Sequence, residues 1–344
     1  MLLEGLFIPL TTPFYPDGSL NLRKLEHNAD RYSKTPATGF AVLSEQGEPS
    51  MLSDEETQKA LLTAAENTGA EKVLLAGVSR DSVVGTLDLA EYAARAGYDA
   101  VLVKQPSVGR GSRELLTYFR AVADRAALPV VLYSPDGLLP VDAVVELSGH
   151  PQIIGLLDGG AGEGIAQVKT GTADVRREVT VTAVFAAVTG RMRTQQESVG
   201  AGTFISADVL TDGGAALAVA PPKPAIKTRT KVVGFQVLGG ASAGMLEALQ
   251  AGAAGVVPGF AACAPQGCYE VFAAWKDGDL ALAEEKQVRL RDAVAKVESE
   301  LGVPGIRFGC DLNGYFGGRP RLPLLPITGE EREAIEGLMR GVRN

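Results

Sequence analysis

The chain has 344 residues, 46% of them hydrophobic, a formal net charge of −8 and a pI near 5.1. Such a chain can bury a sizeable core as one large α/β domain or two smaller ones, and its acidity argues against nucleic acid or an anionic membrane as main partner. No stretch reaches the roughly 18 apolar residues of a membrane span, Met1–Leu10 lacks the basic start of a signal peptide, and Cys263, Cys268 and Cys310 form neither an even disulfide set nor a CxxC pair.

A soluble cytoplasmic protein is therefore expected. Short apolar runs recur along it: GLFIPLTTPF at 5–14, GFAVLS at 39–44, KVLLAGVS at 72–79 and DAVLVK at 99–104. PVVLY at 129–133, IIGLL at 153–157, FQVLGG at 235–240 and GVVPGF at 255–260 complete the series. Eight runs with helical stretches between them have the rhythm of a TIM (β/α)8 barrel. Ser53-Asp54-Glu55-Glu56 opens a helix in capping-box fashion, and 82–96 carries apolar residues at helical spacing. The barrel is expected over 1–262, with its closing helix and a C-terminal helical extension over 263–344, read as helices at 268–275, 280–301 and 329–342.

One interval is too long. Nearly eighty residues separate Leu157 from Phe235, which predicts an insertion around 170–232, after strand six. Its Val/Thr alternation at 178–182 suggests a strand or hairpin. The following Lys223, Lys227, Arg229 and Lys231 read as a solvated basic loop or as an anion attractor. The insertion is expected on the ligand-facing side of the barrel or within the sixth helix.

Chemistry in such barrels sits at the carboxyl ends of the strands. Tyr133 is placed there as a hydrogen-bond donor or general acid/base. Lys104 ends an apolar strand, where burial would make it nucleophilic, unless it pairs with Asp99 or Glu45. Glu45, Glu48, Asp136 and Asp158 are strand-end acids that would either gather a divalent cation or, for Glu48 and Asp158 especially, satisfy loop amides. Gly159–Gly164 is glycine-rich but fits neither nucleotide fingerprint, and reads as a flexible loop. The two histidines, His27 and His150, give no support for zinc or His-based catalysis, and the cysteines read as packing residues. No metal or cofactor is expected.

Several short motifs stand in a fixed order: Thr11-Thr12-Pro13-Phe14 with Asp17-Gly18, Gly47-Glu48, Leu132-Tyr133 and Leu238-Gly239-Gly240. Gly317-Gly318-Arg319-Pro320-Arg321 and Pro323-Leu324-Leu325-Pro326 follow near the end. Through them the chain resembles the dihydrodipicolinate synthase / N-acetylneuraminate lyase family along nearly its whole length. The resemblance implies a barrel enzyme, usually a tetramer, that joins a strand-six lysine to a 2-keto acid as a Schiff base, with a strand-five tyrosine relaying protons.

The departures from that pattern fall on the chemistry. Leu157 stands at the lysine position and cannot form an imine. Ser44-Glu45-Gln46-Gly47 replaces the segment that cradles the keto-acid carboxylate, so Glu45 would repel one. Val108 replaces the tyrosine that completes the relay across a subunit interface. The resemblance thus leaves Tyr133, Glu45 and Lys104 as catalytic candidates, and Ser44, Gln46, Gly47, Leu157 and Gly239 around a small carbonyl or carboxylate ligand in a homo-oligomer, a dimer or tetramer.

Three readings remain open. The protein acts on or binds a small 2-keto acid or related carbonyl compound without a Schiff base. Alternatively, it is a Schiff-base lyase with its lysine relocated to Lys104 or to Lys169, whose flanks loosely echo the family motif. Or it is an inactive barrel, plugged by Leu157, Val108 and the insertion, that serves as a sensor or oligomer subunit.

Overall fold

The computed structural model describes residues 1–108, 111–160, 162–200 and 226–342. Eight parallel strands close a barrel: β1 (Gly5–Leu10), β2 (Gly39–Val42), β3 (Val73–Gly77), β4 (Ala100–Lys104), β5 (Val130–Ser134), β6 (Ile153–Asp158), β9 (Gln236–Gly239) and β10 (Gly255–Val256). Around them lie α1 (Leu22–Ser33), α2 (Asp54–Glu66), α3 (Val83–Arg95), α4 (Ser112–Ala123), α5 (Val141–Ser148), α6 (Gly162–Gly171), α8 (Met245–Gln250) and α9 (Pro265–Lys276). This is the (β/α)8 barrel that the spacing of the apolar runs predicts. Helix starts are fixed by side chains where the sequence offers them: Ser53 and Glu56 form the expected capping box at α2.

The strands are buried on both faces, so they read as continuous apolar runs, and alternation decides which layer each residue joins. Phe7, Ala41, Leu75, Leu102, Val131, Tyr133, Leu157 and Leu238 fill the barrel interior. Ile8, Phe40, Leu74, Val101, Leu132 and Leu156 pack outward against the helices. Ala100 and Leu102 point inward, so the same period of two sends Lys104 to the mouth.

Among the described residues the insertion comprises β7 (Arg177–Thr182) paired antiparallel with β8 (Thr228–Val233), and α7 (Gly190–Gly200). Its described part does not lie on the ligand-facing side, nor within α6. It seals the opposite, amino-terminal end of the barrel, where Val179, Val181 and Ala187 join Leu2 and Leu3 under the interior core. The physical reason is topological: a segment between a helix and the next strand emerges where strands begin.

Two arginines dock the insertion. Arg177 donates to the carbonyls of Ser148, His150 and Ile153, and Arg191 to those of Ala65, Thr68 and Lys72. Both satisfy carbonyls left open at helix ends or just beyond them. Buried Asp99 accepts from Leu74 N and Gly190 N. Of the basic run, Lys231 pairs with Glu4 at 2.6 Å and Arg229 lies over the Phe185 ring, both remote from the mouth. Lys223 lies outside the described residues.

The extension comprises α10 (Leu280–Val294), a π-helical turn at Ala295–Glu300, α11 (Gly302–Leu312) and α12 (Gly329–Met339). The single helix expected over 280–301 is thus interrupted, and α11 is an element the sequence reading did not include. Its two glycines and Pro304 within the first four residues obscure it. No helix among the described residues is long and apolar enough to cross a membrane.

Candidate active site

Two cavities meet at the carboxyl ends of the strands. The first, about 490 Å³, is lined by Ser44, Glu45, Gln46, Tyr133, Asp136 and Leu157, with Gly240–Ala243 and Glu298. The second, about 810 Å³, lies toward β3 and β4, and includes Arg80, Lys104 and Ser107. Glu45 and Tyr133 line both and form the seam between them.

The seam follows from register. Lys104, Tyr133 and Leu157 are successive partners across β4, β5 and β6, and Leu238 continues the row on β9. Tyr133 is buried, and its Oη accepts the Glu45 backbone N–H at 3.3 Å. Burial, with the Glu45 and Asp136 charges, holds its phenol well above the ordinary tyrosine range. It therefore stays neutral, and its O–H remains free to donate into the cavity. Lys104 Nζ stands 3.3 Å from Glu45 Oε1, with both side chains more than a third exposed. Ser44 Oγ donates to Gln46 Oε1 at 3.2 Å.

Not every expected residue reaches the cavities. Gly47 packs behind the loop, where its carbonyl accepts from Thr12 Oγ1 at 2.7 Å. Gly239 occupies an outward position: a β-carbon there would approach Ala248 on α8 to 2.6 Å. Lys169 sits on α6 and donates to the Phe235 carbonyl before β9, at the amino-terminal end. Val108 is exposed, and neither it nor the described part of the insertion lines either mouth cavity; of the three, Leu157 does.

The acids do not assemble into a metal site, and no metal-binding group of three occurs among the described residues. Glu48 is committed to structure. Its carboxylate takes the Nε of fully buried Arg307 at 2.6 Å and the Arg321 backbone N–H at 3.1 Å. Arg307 also donates to the Thr12 and Gly317 carbonyls, and both arginines lie over the Phe14 ring. The motifs that carry the resemblance thus converge on one buried network.

Asp158 accepts from Gly160 N, and burial raises its carboxyl. The glycine-rich turn is packed rather than free, since a β-carbon on Gly159 would fall 1.8 Å from the Pro135 carbonyl. Ala161 in that turn lies outside the described residues. The cysteines are buried and their thiols pushed up, Cys310 to about 12, which makes them poor nucleophiles. His150 contacts Asp124 at 3.0 Å, at the surface.

Sequence reasoning missed several lining residues, among them Ser242 and Arg80, and in the first cavity the acid Glu298. It lies in the middle of a helical run, and nothing in its neighbourhood marks the π turn that aims it at the mouth.

Fold and mouth together define a parallel (β/α)8 barrel with a polar pocket at its carboxyl end. The chain belongs to the dihydrodipicolinate synthetase family, whose profile matches residues 2–207 and 224–341. It is 26% identical over 337 residues to the 4-hydroxy-tetrahydrodipicolinate synthase of Methanothrix thermoacetophila, covering 98% of this chain and 96% of that one. The match to the 4-hydroxy-tetrahydrodipicolinate synthase of Xanthomonas axonopodis pv. citri is 36% over 162 residues; it spans 45% of this chain and about half, 53%, of the relative. Among solved structures, the family protein YagE of E. coli K12, in complex with pyruvate, superposes with a TM-score of 0.76 at 21% identity, over 99% of each chain.

Proposed function

We propose that this protein is a lyase-family barrel that binds or transforms a small 2-keto acid or related carbonyl compound without forming a Schiff base at strand six. The observation that carries the reading is the row Lys104–Tyr133–Leu157 at the mouth. The resemblance assigns the imine lysine to the position of Leu157, which is buried and lines the cavity. Leucine contributes no amine, whereas Tyr133 beside it keeps a phenol that can donate to a carbonyl oxygen. The Glu45 N–H holds the phenol oxygen, and Glu45 itself is positioned to move a proton along the seam.

A second reading has one observation in its favour. Lys104 is an inward-facing amine at the same mouth. Its amine is turned to the Glu45 carboxylate at 3.3 Å and lines the second cavity, away from Leu157, so the first reading is preferred.

Borohydride trapping separates the two. The protein is incubated with pyruvate, other 2-keto acids and hydroxyacetone, reduced, and read by intact mass and peptide mapping. The expected result is no adduct, with a thermal shift from at least one carbonyl compound. A reduced adduct on Lys104 would replace the first reading by the second. No adduct and no shift with any carbonyl compound would sink both and leave the sensor or subunit role.

A further inference from the structure

The C-terminal extension puts a carboxyl into the barrel mouth. Helix α10 runs into the π turn at Ala295–Glu300, and Val294, Glu298 and Ser299 line the first cavity from there. π turns re-aim side chains and recur at functional sites. Val297 of the same turn is fully buried, so one side of the turn is anchored in the core while Glu298 borders the cavity.

The contact around Glu298 is close. A β-carbon on Gly259 would stand 2.5 Å from Glu298 Oε1 and 2.5 Å from Gln46 Nε2. Only a residue without a side chain lets that carboxyl and that amide come together over the strand-end backbone. Glu298 Oε2 is shut off from water and completes no hydrogen bond of ordinary geometry. Burial pushes the carboxyl up to about 7, against the pull of the Ser242 hydroxyl and the Phe260 and Gly259 amides.

The groups around it are acidic or neutral. The buried thiols of Cys263 and Cys268 are near enough to feel its charge. Glu45, Asp136 and Tyr133 share the cavity, and its described lining holds no lysine, arginine or histidine. Lys104, held by Glu45, lines the neighbouring cavity instead.

We propose that Glu298 sets the ligand class of this cavity: the ligand end that meets it is a hydrogen-bond donor without negative charge, a hydroxyl or an ammonium, and a free carboxylate is excluded. The proposal rests on the reading of the mouth as a carbonyl site and narrows it. A carboxylate placed there would face three carboxyl groups and no cation, whose like charges oppose it. A hydroxyl can donate to Glu298 in either protonation state. An ammonium is matched in charge once Glu298 ionises.

Three small ketones test this on the full chain: hydroxyacetone (neutral), aminoacetone (cationic) and pyruvate (anionic), read by thermal shift and calorimetry between pH 6 and 8. Hydroxyacetone should bind at every pH. Aminoacetone should bind roughly tenfold tighter at pH 8 than at pH 6, following the ionised fraction of one carboxyl. Pyruvate should bind weakest at pH 8.

The isosteric Glu298→Gln variant should flatten the aminoacetone pH dependence and leave the other two ketones closer together. Pyruvate binding more tightly than hydroxyacetone at pH 8 would overturn the proposal while leaving the carbonyl reading intact. So would a pH dependence that survives Glu298→Gln. Binding of none of the three would overturn the proposal and the carbonyl reading together.

Discussion

Tyr133 on β5 and Leu157 on β6 are direct register partners, and both side chains line the same cavity. An amine at 157 would therefore arise between a neutral phenol and the buried side chain of Leu238. Desolvation lowers the pKa of such an amine and frees its lone pair. Leu157→Lys is expected to gain a borohydride-trapped adduct with a carbonyl ligand, located by peptide mapping at the introduced residue. It should also lose on the order of 2 kcal/mol of stability, because a buried apolar side chain becomes an ionisable one. A well-folded variant that traps no ketone would show that position 157 is not oriented for imine formation.

Arg307 and Glu48 bind each other with no exposure to water, and the sequence separates them by 259 residues. Each satisfies a charge that would otherwise be stranded, and Arg307 also fills the carbonyls of Thr12 and Gly317. Removing one partner of a buried pair costs about 3–5 kcal/mol. Arg307→Met should show that loss in urea denaturation, and adding Glu48→Gln should recover part of it. A loss under about 1 kcal/mol for the single change would mean the pair is not what joins the extension to the barrel.

The barrel was legible because its strands are buried on both faces and so appear as unbroken apolar runs, each with its turn residues. The mouth was legible in part for the same reason. Strand ends give Tyr133, Lys104 and Leu157 directly, and Glu45 follows from its place after β2. Gly47 and Gly239 were misplaced because a glycine has no side chain to declare its facing; one packs behind its loop and the other against α8.

Arg177, Arg191 and Arg307 carry no sequence pattern that marks them, although each works as a partner for backbone carbonyls. Glu298 was hidden because a π turn and an α turn share one residue pattern. Only the packing of Val297 and the close approach over Gly259 reveal where its carboxyl goes.

Arg191 ties the insertion to the barrel end opposite the cavities. It donates to Thr68 O at 3.0 Å and to Ala65 O at 3.3 Å, with a further bond to the Lys72 carbonyl. In barrels of this class the amino-terminal face serves stability and the carboxyl face serves chemistry. Arg191→Met is therefore expected to cost about 1–3 kcal/mol through the unsatisfied carbonyls. The thermal shift caused by a carbonyl ligand should keep its size. A reduced ligand response with unchanged stability would contradict that division.

Glu298 also leaves a signature without any ligand. Its folded carboxyl is pushed up to about 7 from an ordinary 4.5. Between those values the unfolded chain has released the proton while the folded protein still holds it, so folding becomes less favourable as pH rises. The penalty starts near pH 4.5, is complete just above pH 7, and amounts to about 3 kcal/mol at most.

Glu56 runs the other way. Its two bonds to Arg321 hold it down to about 2, so its contribution is present above pH 4.5 and is lost only on strong acidification. Subtracting the urea-derived stability of Glu298→Gln from that of the unaltered protein, pH by pH, cancels Glu56 and the other carboxyls common to both. The difference should turn against the unaltered protein between pH 5 and 8 and be flat above that. A difference that does not change over this range would mean that Glu298 ionises as freely as an exposed carboxylate, and that the π turn does not hold it away from water.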